Sequence, residues 1–181
     1  FAEVDKTMQL ANKTMNNTAE EAEAVNAAMK EAASNSTFGM AEASNAVLNF
    51  SRAGLDAEQS ISALTPAMNL AAGEGGNLDT VSAGLVATLN GFHAEFSEAG
   101  EYADIFAAAC NNSALDIDSL SESMSVAAPI FSAAGYDVKD ATLALGLMGN
   151  AGIDASTSAN SLKTGIARLV DTTEEGETAL R

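Results

Sequence analysis

Tryptophan is absent from the 181 residues, and histidine and cysteine occur once each, as His93 and Cys110. One histidine excludes histidine-built metal cages, and a lone cysteine cannot close an internal disulfide, so no extracellular disulfide scaffold is present. There are two prolines, Pro66 and Pro129, which leaves most of the chain free of helix breakers. Basic residues are scarce: 8 Lys and Arg stand against 25 Asp and Glu, a formal net charge of -17. Such a surface repels phosphates and acidic head groups, which disfavours direct nucleic-acid or membrane-surface binding. It suits a basic partner or a basic channel wall. No run approaches the roughly 18 uninterrupted apolar residues of a membrane span. The longest, 126–135 and 141–149, are short and interrupted by Ser, Pro or Gly. There is no signal-peptide pattern, and a chain that starts at Phe1 and stops at Arg181 in mid-pattern reads as a piece of a longer protein.

What is present is alanine, by far the most frequent residue, together with 7 Met, 47% apolar residues and only 5% aromatics. Small side chains let helix axes approach, so the expected fold is all-α: a multi-helix bundle of short Ala-rich helices joined by Gly corners, with a longer N-terminal helical arm. Residues 1–35 form that arm. Phe1, Val4, Met8, Ala11 and Met15 make one apolar stripe, and Asn16-Asn17-Thr18 interrupts it. Thr18 and Glu21 then form a capping-box pattern opening a second helix to about Ala33. The stripe suits self-association or packing back on the core. Helices are expected over about 40–53, 57–72, 78–91 (stopped by Gly91), 99–111, 117–135, 138–150 and from Ala155, where Ala159, Leu162, Ile166 and Leu169 continue the pattern. The segment 138–150 is apolar on nearly every side, which predicts a central, buried helix. No segment alternates with period 2, so no sheet is expected.

One boundary recurs. Residues 53–56, 134–137 and 151–154 all read Ala-Gly-apolar-Asp. Gly takes the left-handed position that ends a helix, the apolar residue plugs the corner, and Asp caps the next helix. The first two copies share seven identities in a window of fifteen at an offset of 81, from Phe50 and Phe131 onward. A duplicated helix–corner–helix unit and simple recurrence of a good corner both account for this.

The signatures of chemistry fail one by one. His93-Ala94-Glu95 echoes a zinc-deaminase opening, but Pro-Cys-x-x-Cys is missing. Asp116-Ile117-Asp118 resembles the start of a calcium loop, yet Ser121 stands where Gly is needed and Ala127 where Glu is needed. Helix capping explains the pair better. Gly73-Glu74-Gly75-Gly76 lacks the Lys-Ser/Thr of a phosphate loop and reads as a flexible connection. Cys110 lies on an apolar stripe and reads as packing. Glycosylation sequons at Asn12, Asn16, Asn35, Asn49 and Asn111 are expected by chance in a chain this rich in Asn, Ser and Thr. Acid clusters such as 20–23 and 174–177 read as solvated helix faces. No catalytic, cofactor-binding or metal-binding residue is expected, nor any cofactor; the segment is expected not to be an enzyme.

Residues 36–170 resemble the core region of phage tail tape measure proteins. The resemblance rests on Met40-Ala41-Glu42-Ala43, on the run from Phe50 to Gln59, on Ala63-Leu64-Thr65-Pro66 and on Leu70-Ala71-Ala72-Gly73. Further on it rests on Val126-Ala127-Ala128-Pro129, Gly149-Asn150-Ala151-Gly152-Ile153 and the run from Ser161 to Leu169. The family usually has Pro soon after the last helix; here Asp171-Thr172-Thr173 stands instead, and 171–181 reads as the start of a truncated following segment. The resemblance implies a virion structural protein of a long-tailed phage or prophage. It would act in tail assembly, tail-length determination and passage of DNA at ejection. Tail tube subunits, tail-tip or baseplate proteins and tail assembly chaperones would be its partners, with a homo-oligomer also open. It would reside in the tail lumen of the virion, and in the bacterial host cytoplasm during assembly. Two rival readings are a bacterial helical interaction module of a secretion system or cell surface, and a peptidoglycan-cleaving enzyme. The latter needs aromatic sugar platforms, and the chain has only Tyr102 and Tyr136 besides its phenylalanines. A ruler converts residues to length through continuous helix at about 1.5 Å each. Glycine corners throughout predict instead a folded docking or assembly module, or a folded form that rearranges when packed in the tube.

Overall fold

The computed structural model describes the backbone of residues 2–179 and the side-chain surroundings of residues 2–168. Phe1 and the side chain of Leu169, both assigned to helix stripes above, lie outside the described residues. The helices are α1 (Ala2–Met15), α2 (Ala19–Ser34), α3 (Met40–Arg52), α4 (Ala57–Glu74), α5 (Leu78–Phe92), α6 (Ala99–Asn111), α7 (Ile117–Ala133), α8 (Val138–Asn150) and α9 (Ala155–Ala179). A single 3₁₀ turn, Phe96–Glu98, precedes α6. No strand occurs among the described residues, and the fold is all-α.

Most starts are fixed by a side chain that satisfies an otherwise orphaned amide. Thr18 Oγ1 accepts from the Glu21 amide at 3.3 Å while the Glu21 carboxylate accepts from the Thr18 amide at 2.7 Å. Asp56 and Gln59 exchange the same pair of bonds, as do Asp137 and Asp140. Asn77, Asp116 and Asp154 cap α5, α7 and α9 through the amides of Thr80, Ser119 and Thr157.

The helices alternate between two layers. In one, α1, α3, α5, α7 and α9 lie side by side; in the other, α2, α4, α6 and α8 do. The starts of the first set, Ala2, Met40, Leu78, Ile117 and Ala155, are evenly spaced along the chain. The chain is therefore a stack of helix pairs, each resting on its neighbours, the arrangement of an α-solenoid. Inside every pair the corner is built alike. Asn16 (φ 57°), Gly54 (φ 90°), His93 (φ 55°) and Gly135 (φ 83°) hold the left-handed turn. The amide of the next residue reaches back to the carbonyls of Asn12, Phe50, Leu89 and Phe131 at 2.9–3.1 Å. Two residues on stand Thr18, Asp56, Glu95 and Asp137; only Glu95 makes no side-chain cap, and there the 3₁₀ turn intervenes. Eight residues before the turn, Met8, Ala46, Leu85 and Ala127 are all buried. The recurrence from Phe50 to Phe131 joins the second and fourth pairs of this series.

The centre of the stack is α5 against α7. Gly84 lies against Ser121 and Gly91 against Ala128 and Pro129, so both helices advance seven residues in the same sense and run parallel. A Cβ on Gly84 would stand 2.6 Å from the Ser121 carbonyl oxygen. The Ser121 hydroxyl is buried there with no hydrogen-bond partner. Pro66 and Pro129 both sit inside helices, α4 and α7, rather than in loops.

Several expectations change. The α8 segment is not central: Leu143 is 62% and Leu147 61% exposed, although Val138, Ala141 and Leu145 are buried. Gly91 does not stop α5; the helix runs to Phe92 and His93 turns it, because Gly91 is needed for contact with α7. Of the corner residues expected to act as plugs, Leu55 is buried, whereas Tyr136 and Ile153 are exposed. Tyr136 instead lays its ring 5.8 Å from that of Phe131. For the first two helices the structure has packing onto the core: α1 lies on α3, and α2 on α3 and α4. Met8 and Ala11 are buried in the common core, with Val4 and Met15 packed against it. That stripe is consumed within the chain, not offered to a second copy.

Candidate functional site

The residues with chemical potential do not converge. His93 is exposed and serves as the left-handed end of α5. Cys110 is half-buried on α6, where burial first, then the carboxylates of Glu74 and Asp116, push its thiol up to about 11. A thiol held protonated in this way is a poor nucleophile. Asp116 caps α7, and the Ser119 amide and hydroxyl hold its carboxyl below the usual range. Asp118 does something the sequence did not signal: it accepts from the Asn77 amide at 2.9 Å and ties the α4–α5 connection to the start of α7. The glycine run 73–76 is partly helical, with Gly75 in the left-handed turn and Gly76 pressed against Ile117 and Val81. Among the described residues, no group of three or more His, Cys, Asp or Glu is placed to hold a metal ion. No described helix is long and apolar enough to cross a membrane.

What the fold does present is a face. Between neighbouring helices of the second layer run grooves in equivalent positions. The α4–α6 groove is lined by Thr65, Pro66, Asn69 and Glu74 facing Ala103 and Asp104, with a volume of about 330 Å³. The α6–α8 groove, also about 330 Å³, is lined by Ile105, Ala108 and Ala109 facing Leu143, Gly146 and Leu147. At its far end small residues let α8 press on the α6–α7 connection: a Cβ on Gly146 would stand 3.2 Å from Ser113, and one on Gly149 2.7 Å from Leu115. The two helices run parallel: Lys139 lies 3.9 Å from Glu101 near their starts, and at the far end Asn150 accepts from the amide of Ala114, in the α6–α7 connection, at 2.7 Å. The sequence signal for this face is the all-round apolar character of α8, which by itself reads as burial.

Comparison with known proteins gives the face a setting. A tape measure protein of Pneumococcus phage Dp-1 is 27% identical over 137 residues, which is 76% of this chain and 12% of that protein. The chain thus spans a small part of that relative's length. No solved structure matches. The family described as phage-related minor tail protein matches residues 34–181, from the end of α2 through every later helix pair. On that match, the chain belongs to the phage-related minor tail protein family.

Proposed function

We propose that this chain is a folded segment of a phage tail tape measure protein, the whole of which acts in tail assembly, tail-length determination and the passage of DNA at ejection. The observation that carries the reading is the family match over residues 34–181, joined to the tape measure name of the Dp-1 relative. Tail tube subunits, tail-tip or baseplate proteins and tail assembly chaperones are its partners on this reading. Its place is the tail lumen of the virion, with the host cytoplasm during assembly. Its role is structural rather than enzymatic. Residues 1–35 form a helix pair laid on the core of 36–170.

The helix-pair stack favours a module over a shaft. Stacked pairs advance by roughly one helix spacing per repeat, about 10 Å. One repeat drawn out as continuous helix would add about 58 Å. Duplicating residues 78–116 in frame in the parent phage, with tail lengths read by electron microscopy, separates the two. Tails unchanged to within about 10 Å, one helix spacing, are expected, with the chain detected in purified virions by mass spectrometry. Tails longer by about 58 Å, the rise of a continuous helix, would overturn the module reading. Virions lacking the chain would overturn the tail assignment.

A further inference from the structure

The second layer permits a comparison of the molecule with itself. At intervals of 38 or 39 residues, the spacing of the helix pairs, stand Ala27 and Glu31 on α2, Thr65 and Asn69 on α4, Asp104 and Ala108 on α6, and Leu143 and Leu147 on α8. All eight are exposed. Three pairs are small or polar, as solvated positions should be. The fourth places two leucines, 62% and 61% exposed, in water beside the apolar α6–α8 groove. Removing both from water is favourable, so an occupant of that groove has a driving force.

The shape and charge of the groove define the occupant. From Lys139 to Asn150 it is about 17 Å long, three turns of helix, and its apolar wall follows the i, i+4 spacing that an amphipathic helix reads. Glu98, Glu101 and Asp137 all lie near Tyr102, whose hydroxyl is raised by burial first and then by these three carboxylates. Asp140 adds a fourth acid in the first turn of α8, and Lys139 is paired with Glu101. The charged residue that lines the groove is Lys139, and with Glu101 beside it and Asp137 and Asp140 flanking it at the start of α8, that end carries a net acidic charge. A second copy of a chain with net charge -17 would meet it with like charge. We propose that the α6–α8 groove, walled by Leu143 and Leu147, docks a three-turn amphipathic helix of a different protein, with basic residues at the end that meets the acidic mouth. This site does not depend on the tape measure reading.

The test uses the whole chain and a labelled helical peptide, followed by fluorescence anisotropy. The peptide carries Leu at i, i+4 and i+7 and Lys at one end, and is just long enough to fill the groove. The same peptide with Glu in place of Lys is the control. The lysine peptide is expected to bind at least about tenfold more tightly than the glutamate peptide, and to weaken as salt rises. The double variant Leu143→Ser and Leu147→Ser should lose at least about tenfold in affinity with its thermal midpoint retained, since both side chains are exposed. Asp140→Asn should lose a smaller factor. Affinity of the double variant within twofold of the original, or equal binding of both peptides, would overturn the proposal. So would a dimer of the original chain that the double variant converts to monomer, because the occupant would then be a second copy.

Discussion

At the scale of single residues, the tightest constraint is the absence of a side chain. Gly84 lets α5 reach the backbone of α7, and the atoms a methyl group would meet there are Ser121 Cα at 2.7 Å and its carbonyl oxygen at 2.6 Å. Backbone in a packed helix cannot swing aside as a flexible side chain would. Gly84→Ala is therefore expected to cost about 1–3 kcal/mol in urea denaturation. Gly73→Ala is the matched control: it lies in the last turn of α4 with nothing within 4 Å, and should gain about 0.5 kcal/mol from helix propensity. Equal effects at the two positions would show that helix propensity, not the α5–α7 approach, sets the response. This contact was not visible in the sequence. Gly91 reads as a stop because a glycine seven residues after another looks the same whether it ends a helix or faces one.

At the scale of the element, the four left-handed corners inside the pairs are one device with different residues in the critical place. Gly54 and Gly135 have open space around them, so their requirement is conformational and not steric crowding. Asn16 and His93 hold the same turn with side chains attached. Gly135→Ala should accordingly cost about 1–2 kcal/mol, and Gly135→Asn distinctly less, because a short polar side chain tolerates the left-handed region better than a methyl. Circular dichroism melts of the two variants check the order; an alanine variant as stable as the asparagine one would contradict it. Helix boundaries were legible because these corners are local chemistry: Thr18 with Glu21, and Asp56 and Asp137 as caps, can all be read directly from adjacent residues. Which helix faces solvent was not. A sequence that is apolar all round describes a buried helix and a helix awaiting a partner equally well, and α8 is partly each: Leu145 inside, Leu143 and Leu147 outside.

At the scale of the whole molecule, the repeat emerges only once helices are paired in space. Its period is carried by turn positions and buried spots such as Met8, Ala46, Leu85 and Ala127, whose identities differ; only the second and fourth pairs kept enough in common, from Phe50 and Phe131, to show in the text. This stretch of a tail protein is folded into stacked helix pairs instead of drawn out as a rod, and small-angle X-ray scattering on the whole chain distinguishes the two. Stacked pairs should give a radius of gyration near the roughly 16 Å of a folded domain of this length. A continuous helix of the same residues would be about 270 Å long with a radius of gyration of about 80 Å, and a value approaching that would contradict it.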